Sequence, residues 1–233
     1  MVILFVLFAN FNWDSLVAET IDTAPVDYRI ILPDDYDTYK NYPVLYLMPE
    51  DGISSHSEEM LAMILDEINT NQTGDFLIVM PEFDLAEDFR VTMDRLVTYV
   101  DQAYKTIPTV DQRAILGVGI GGYMAYMIGL TDVGSDGVTI LEQPQLIKNI
   151  GSIHGNFTGT DNFFYDEYGD VYEIINTIGR NNITNYYTYL DGPTENPHTS
   201  MENSTNDIGA LFINWFTMPS YDFHEYTARY GEY

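Results

Sequence analysis

Short apolar runs recur along the chain, most of them followed by a longer segment with apolar residues at threes and fours. Val2–Phe8, Asp27–Leu32, Val44–Met48 and Phe76–Met80 read as strands, and Ala114–Val118, Ile147–Ile153, Tyr186–Leu190 and Tyr221–Tyr226 continue the series. Val44–Met48 is purely apolar, as a strand buried on both faces should be. Helical spacing marks Glu58–Ile68, through Met60, Leu61, Ile64, Leu65 and Ile68. It marks Phe89–Ile107 through Val91, Met93, Leu96, Val97, Val100 and Tyr104, and predicts further helices over Gly122–Leu130, Val171–Ile178 and Asp207–Phe216. Asp132–Gln145, Phe157–Gly169 and Asp191–Ser204 read as loops. Alternating strands and helices predict an α/β fold with a mostly parallel central sheet and helices on both faces, in one domain spanning residues 1–233.

Gln112–Leu130 is the most telling stretch. An apolar strand runs into Gly117-Val-Gly-Ile-Gly121 and then into a helix of small and apolar residues. Strand, sharp glycine turn and helix make the frame of a nucleophile elbow, G-x-S-x-G, in which the serine position is Gly119.

Charge changes the picture of what the protein meets. Against 36 Asp+Glu there are only 9 Lys+Arg, a net charge of −27. Such a surface repels nucleic-acid phosphates and anionic lipid, so no nucleic-acid partner is expected. With 45% hydrophobic residues the chain still has enough apolar surface for a core. No Asp/Asn/Gly loop has calcium-site spacing. Cysteine is absent, so thiol chemistry and disulfides are too. Val2–Ala9 is read as a buried strand and not as a signal segment, because no Lys or Arg precedes it. No apolar run approaches the ~18–20 residues a membrane span needs, so no membrane insertion is expected. Sequons stand at Asn71, Asn156, Asn182 and Asn203.

The order of the pieces resembles the esterase D and feruloyl-esterase-like branch of the α/β-hydrolases, which includes the mycolyltransferase antigens. The resemblance is carried by Tyr28-Arg-Ile-Ile-Leu-Pro-Asp-Asp-Tyr36, Tyr42-Pro-Val-Leu-Tyr-Leu-Met48, Phe76-Leu-Ile-Val-Met-Pro81, Tyr99-Val-Asp-Gln-Ala-Tyr-Lys-Thr-Ile-Pro108, the elbow, and Ile150-Gly-Ser-Ile-His-Gly155. It implies an α/β-hydrolase fold and, in intact members, serine hydrolysis of esters and thioesters or acyl transfer. Four positions depart from what it implies. Gly119 stands for the nucleophile and offers no oxygen to acylate. Asn196, in Asp191-Gly-Pro-Thr-Glu-Asn196, stands for the triad Asp and carries no charge to stabilise an imidazolium. Tyr230 stands for the triad His, and a phenol with an ordinary pKa near 10 is a poor base at neutral pH. Pro49 and Glu50 stand where the family has the His-Gly of its oxyanion region. Pro donates no N–H, and a carboxylate disfavours a developing oxyanion.

The expectation is therefore a catalytically inactive esterase-like protein serving as a structural or binding subunit of a surface, extracellular or virion assembly. The alternatives are an acyl hydrolase with a non-standard active site and a carbohydrate- or ester-binding module. No cofactor is expected. A metal site from His154, His198 and a carboxylate is weighed and set aside for want of His-x-x-His spacing; His56 follows the oxyanion turn, and His224 falls inside the last strand. Phe157, Phe163, Phe164, Tyr165, Tyr168 and Tyr172 form the candidate binding surface, against the plainer reading of a loop packing its own aromatics. The family continues past its His into a closing helix, whereas three residues follow Tyr230 here. That predicts an uncovered apolar surface and a protein partner or homo-oligomer.

Overall fold

A computed structural model describes residues 24–191, apart from 34–35, 37–38, 57, 59–60, 63, 66–74, 85, 135–136, 154, 158–161, 165–167 and 184. The expected strands Val2–Phe8 and Tyr221–Tyr226 and the expected helix Asp207–Phe216 lie outside the described residues.

Eight strands and three helices follow in chain order. They are β1 (Asp27–Ile31), β2 (Val44–Met48), β3 (Leu77–Glu82), α1 (Phe89–Ala103), β4 (Arg113–Val118), α2 (Ile120–Leu130), β5 (Thr131–Gly134), β6 (Gly137–Ile140), β7 (Asn149–Ile153), α3 (Val171–Ile183) and β8 (Tyr187–Asp191). Six strands form one sheet in the order β1-β3-β2-β4-β7-β8, with β1 antiparallel to β3 and the other pairs parallel. The chain steps from β2 back to β3, then crosses β2 to reach β4 and continues outward to β7 and β8. Right-handed crossovers put the connection of the backward step on one face and those of the forward steps on the other.

The two cores follow that division. On one face β2 and β4 meet α1, α2 and α3 through Tyr46, Met93, Leu96, Val100, Tyr126 and Ile175, all buried. On the other, Leu47, Ile78 and Met80 meet Leu61, Ile64 and Leu65, helical residues within the expected 58–68 segment. Leu45, Ala114 and Leu116 on this second face are only half-buried. Every residue of α2 after Ile120 is buried, so this helix lies at the centre of the packing. Among the described residues no helix is long and apolar enough to cross a membrane.

Three element boundaries differ from expectation. α1 stops at Ala103 although the apolar spacing runs on. Thr106 forms a bridge to Tyr42, with Tyr42 N–H donating to the Lys105 carbonyl and Ile107 N–H donating to the Tyr42 carbonyl, both at 2.9 Å. Pro108 also biases Ile107 away from helix. Asp132–Gln145, expected as loop, contains the hairpin β5–β6, whose strands are four residues each and mostly exposed. No buried face marks them in the sequence. α3 runs five residues past its expected end, across a break at Gly179 (φ 74°, ψ 163°).

Candidate functional site

The reversal of strand order falls between β2 and β4. In open α/β sheets, ligands bind outside the carboxyl ends of the strands at such a reversal. Here those ends are Met48-Pro49-Glu50 and Val118-Gly119, so the topology alone brings the expected oxyanion region and the expected nucleophile position together.

Gly119 links β4 to α2 at φ 58°, ψ −124°, a backbone region that side chains rarely enter. Its N–H donates to the Ile153 carbonyl at 3.2 Å, and its own carbonyl accepts from Gly122 N–H at 3.1 Å and Asn156 N–H at 2.8 Å. The turn is thus sharp, strained for any residue with a Cβ, and tied to the end of β7. Gly122 allows α2 to lie against β7, because a Cβ there would stand 2.2 Å from Ser152 Oγ. Ser152 is itself fully buried, and its hydroxyl has no hydrogen-bond partner.

Glu50 closes the turn from the other side. Its carbonyl accepts the N–H of Ile120 at 3.1 Å, and its own N–H donates to the Ser55 carbonyl. The amide after the nucleophile position is the donor an elbow supplies to an oxyanion. Here that donor already has a partner. A Cβ on residue 119 would stand 3.1 Å from the Glu50 carbonyl oxygen and 3.6 Å from Glu50 Cγ.

The loop after β2 is held in this position by its own bonds. Asp51 Oδ1 accepts the N–H groups of Ile53 and Ser54 at 2.8 Å and of Ser55 at 3.0 Å. Burial raises the Asp51 pKa, but these amides outweigh it and hold the carboxyl below its ordinary range. Gly52 N–H donates to the Pro49 carbonyl, and Phe83 N–H to the Ile53 carbonyl. His56 Nδ1 meets the Ser54 carbonyl at 3.0 Å, while Nε2 is buried without a partner. Burial, with help from the Arg29 charge, pushes the His56 pKa down.

The aromatic segment packs over this loop. Ile120 Cγ2 and Phe164 Cε2 each stand 2.8 Å from the place a Cβ on Gly52 would take. Phe164 is 5% exposed and meets Phe89 edge-on at 4.9 Å; Phe157 is 1% exposed and meets Tyr126 at 5.5 Å. The expected aromatic contact surface is therefore corrected for Phe157 and Phe164, which are core residues. Tyr168 and Tyr172 pack partly buried against the same core, and Phe163, 49% exposed, is the described member that faces solvent. Tyr165 lies outside the described residues. Asn162 fastens the segment, donating from Nδ2 to the Asn156 carbonyl at 2.8 Å and accepting from Phe164 N–H at 3.0 Å. No sequence pattern flags this asparagine latch or the Ile120–Glu50 bond, because both depend on backbone meetings across the chain.

Asn196, Tyr230, His154, His198 and His224 lie outside the described residues. Among the described residues no group of three His, Asp or Glu side chains is arranged to hold a metal. The elbow itself presents glycine, two engaged amides and the exposed Glu50 side chain.

No family model matches the chain, and no curated protein does. Solved structures do. A ferulic acid esterase superposes with a TM-score of 0.63 at 13% identity, over 85% of this chain and 85% of that one. MPT51 (FbpC1) of Mycobacterium tuberculosis superposes with a TM-score of 0.51 at 11% identity, over 87% of this chain and 84% of that one. The chain has the α/β-hydrolase fold.

Proposed function

We propose that this protein is a pseudo-esterase: one esterase-like domain over residues 1–233, without ester hydrolysis, serving as a structural or binding subunit of a larger assembly. The carrying observation is the pair of facts at the elbow. Gly119 brings no nucleophile, and Ile120 N–H, the amide an oxyanion would need, donates to the Glu50 carbonyl. Loss of a triad nucleophile alone costs on the order of 10⁶ in kcat in the subtilisin example. An oxyanion-hole donor is worth roughly 10²–10³ on top of that. Asn196 and Tyr230, at the positions matching the triad acid and base, point the same way. The assembly part rests on what remains once the chemistry is set aside: a folded, strongly acidic domain whose value to the cell or particle must lie in what it touches. A surface, extracellular or virion setting suits it.

Hydrolysis of p-nitrophenyl acetate by the purified full chain, beside a heat-unfolded blank, tests the reading. The expected rate equals the blank. A rate well above the blank, abolished by unfolding, overturns the pseudo-esterase reading in favour of an acyl hydrolase with a non-standard site. Size-exclusion chromatography with light scattering then asks whether the chain self-associates or needs a partner.

A further inference from the structure

A second site stands apart from the elbow. Between α1, the C-terminal end of α2, β5 and the loop after β6 lies a cavity of about 310 Å³. That is at the lower end of ligand pockets, which run ~300–1,000 Å³, so its occupant must be small. Val91, Ile128, Val133, Leu141 and Leu146 make an apolar wall.

The charges around it are one-sided. Asp94 and Asp132 line the cavity and are exposed. The ion pairs found among the described residues use other carboxylates. Asp132 Oδ1 accepts only the neighbouring Val133 N–H, at 2.8 Å. The cation that lines the cavity is already committed: Arg90 donates from Nε at 3.0 Å and Nη2 at 2.7 Å to Asp88, from Nη1 to Thr131 Oγ1 at 3.4 Å, and its guanidinium lies 4.8 Å from the Tyr168 ring centre. α2 ends at the cavity with no basic residue in its last turn. A helix C-terminus carries a partial negative charge of roughly half a unit and favours a cation. Two carboxylates, a negative helix end, an apolar wall and no uncommitted cation select one kind of guest.

We infer that this cavity binds a primary ammonium group carried on a short apolar chain, with the ammonium between Asp94 and Asp132 and the chain against Val133, Leu141 and Leu146. The guest is a free alkylamine or the lysine side chain of a partner protein. The inference stands independently of the elbow reading.

The test titrates n-butylammonium into the full-length protein, followed by amide NMR and calorimetry. Saturable one-to-one binding is expected, with the largest shifts at Val91, Val133 and Leu141. At equal ionic strength n-butanol and ammonium chloride should each bind at least tenfold more weakly. Asp94→Asn with Asp132→Asn should weaken n-butylammonium at least tenfold at unchanged melting temperature, and Leu146→Trp, which fills the cavity, should abolish it. A doubly blocked lysine binding at least as tightly as n-butylammonium assigns the site to a partner's side chain; binding of the free amine alone assigns it to a small molecule. If n-butylammonium binds no more tightly than ammonium chloride, the attraction is only the diffuse pull of a −27 protein on cations and the inference fails. It fails equally if the carboxamide variant binds unchanged or the shifts lie elsewhere.

Discussion

Ile120 N–H donates to the Glu50 carbonyl at 3.1 Å, and this bond joins the first residue of α2 to the loop that follows β2. It fills, from within the chain, the position where an active elbow would receive the oxygen of its substrate.

Restoring the missing serine should therefore not restore hydrolysis. Gly119→Ser keeps φ at 58° and brings its Cβ to 3.1 Å from the Glu50 oxygen. The variant should lose about 1–3 kcal/mol of stability to backbone strain. Its p-nitrophenyl acetate rate should stay at the level of the unfolded blank. Urea denaturation and the ester assay check the two halves separately.

The contact between Gly122 and Ser152 predicts a strongly coupled pair. Gly122→Ala places a methyl 2.2 Å from Ser152 Oγ and should cost about 1–3 kcal/mol or more through overpacking. Ser152→Ala removes a buried hydroxyl that has no partner, so it should be neutral or stabilising. The double variant should recover part of the loss, because the oxygen in the way is gone, while Gly155 Cα at 3.0 Å still limits the fit. A double-mutant cycle by denaturation should return a coupling of about 0.5–3 kcal/mol.

How far the sequence reaches can be judged at these residues. The Gly117–Gly121 turn, the purely apolar β2 and the spacing of α1 all announce themselves, since each is a local pattern with one periodicity. Topology follows from their order, and with it the meeting of Gly119 and Glu50. The partner of Ile120 N–H is not legible, because a carbonyl carries no sequence signature. The hairpin β5–β6 is missed because its exposed four-residue strands lack an apolar alternation. Phe157 and Phe164 look like a sticky surface in the sequence, since nothing local says that Tyr126 and Phe89 wait to receive them.

Arg113 and Asp101 form a nearly buried ion pair at 2.5 Å, their side chains 10% and 15% exposed. Asp101 also accepts from Thr106 Oγ1, and Arg113 Nη1 donates to the Leu146 carbonyl. Asp101→Asn leaves the guanidinium buried without its counter-charge. A loss of about 3–5 kcal/mol is expected, read as a lowered urea midpoint.

Two groups in the loop after β2 make stability depend on pH. The His56 pKa is pushed down on folding by burial, so the folded protein prefers the neutral ring. The stability this gives is full above the unfolded value near 6.5 and is lost as pH falls toward the folded value. Asp51 is held low by three amides, so its contribution is full above the unfolded value near 3.9 and is lost as pH falls through the folded value. Urea midpoints followed from pH 8 to pH 3 should show His56→Gln flattening the upper window and Asp51→Asn the lower.

The elbow has one further consequence, for how the molecule opens. Gly119 and Ile120 bond outward to Ile153, Asn156 and Glu50, so a single turn of chain fastens the ends of β2, β4 and β7. No one of these ends can fray without releasing the other two. Hydrogen exchange at Gly119, Ile120 and Asn156 should accordingly share one free energy, equal to that of global unfolding. What the fold holds at this turn is a cooperative clasp, whose purpose is read in exchange times and not in turnover.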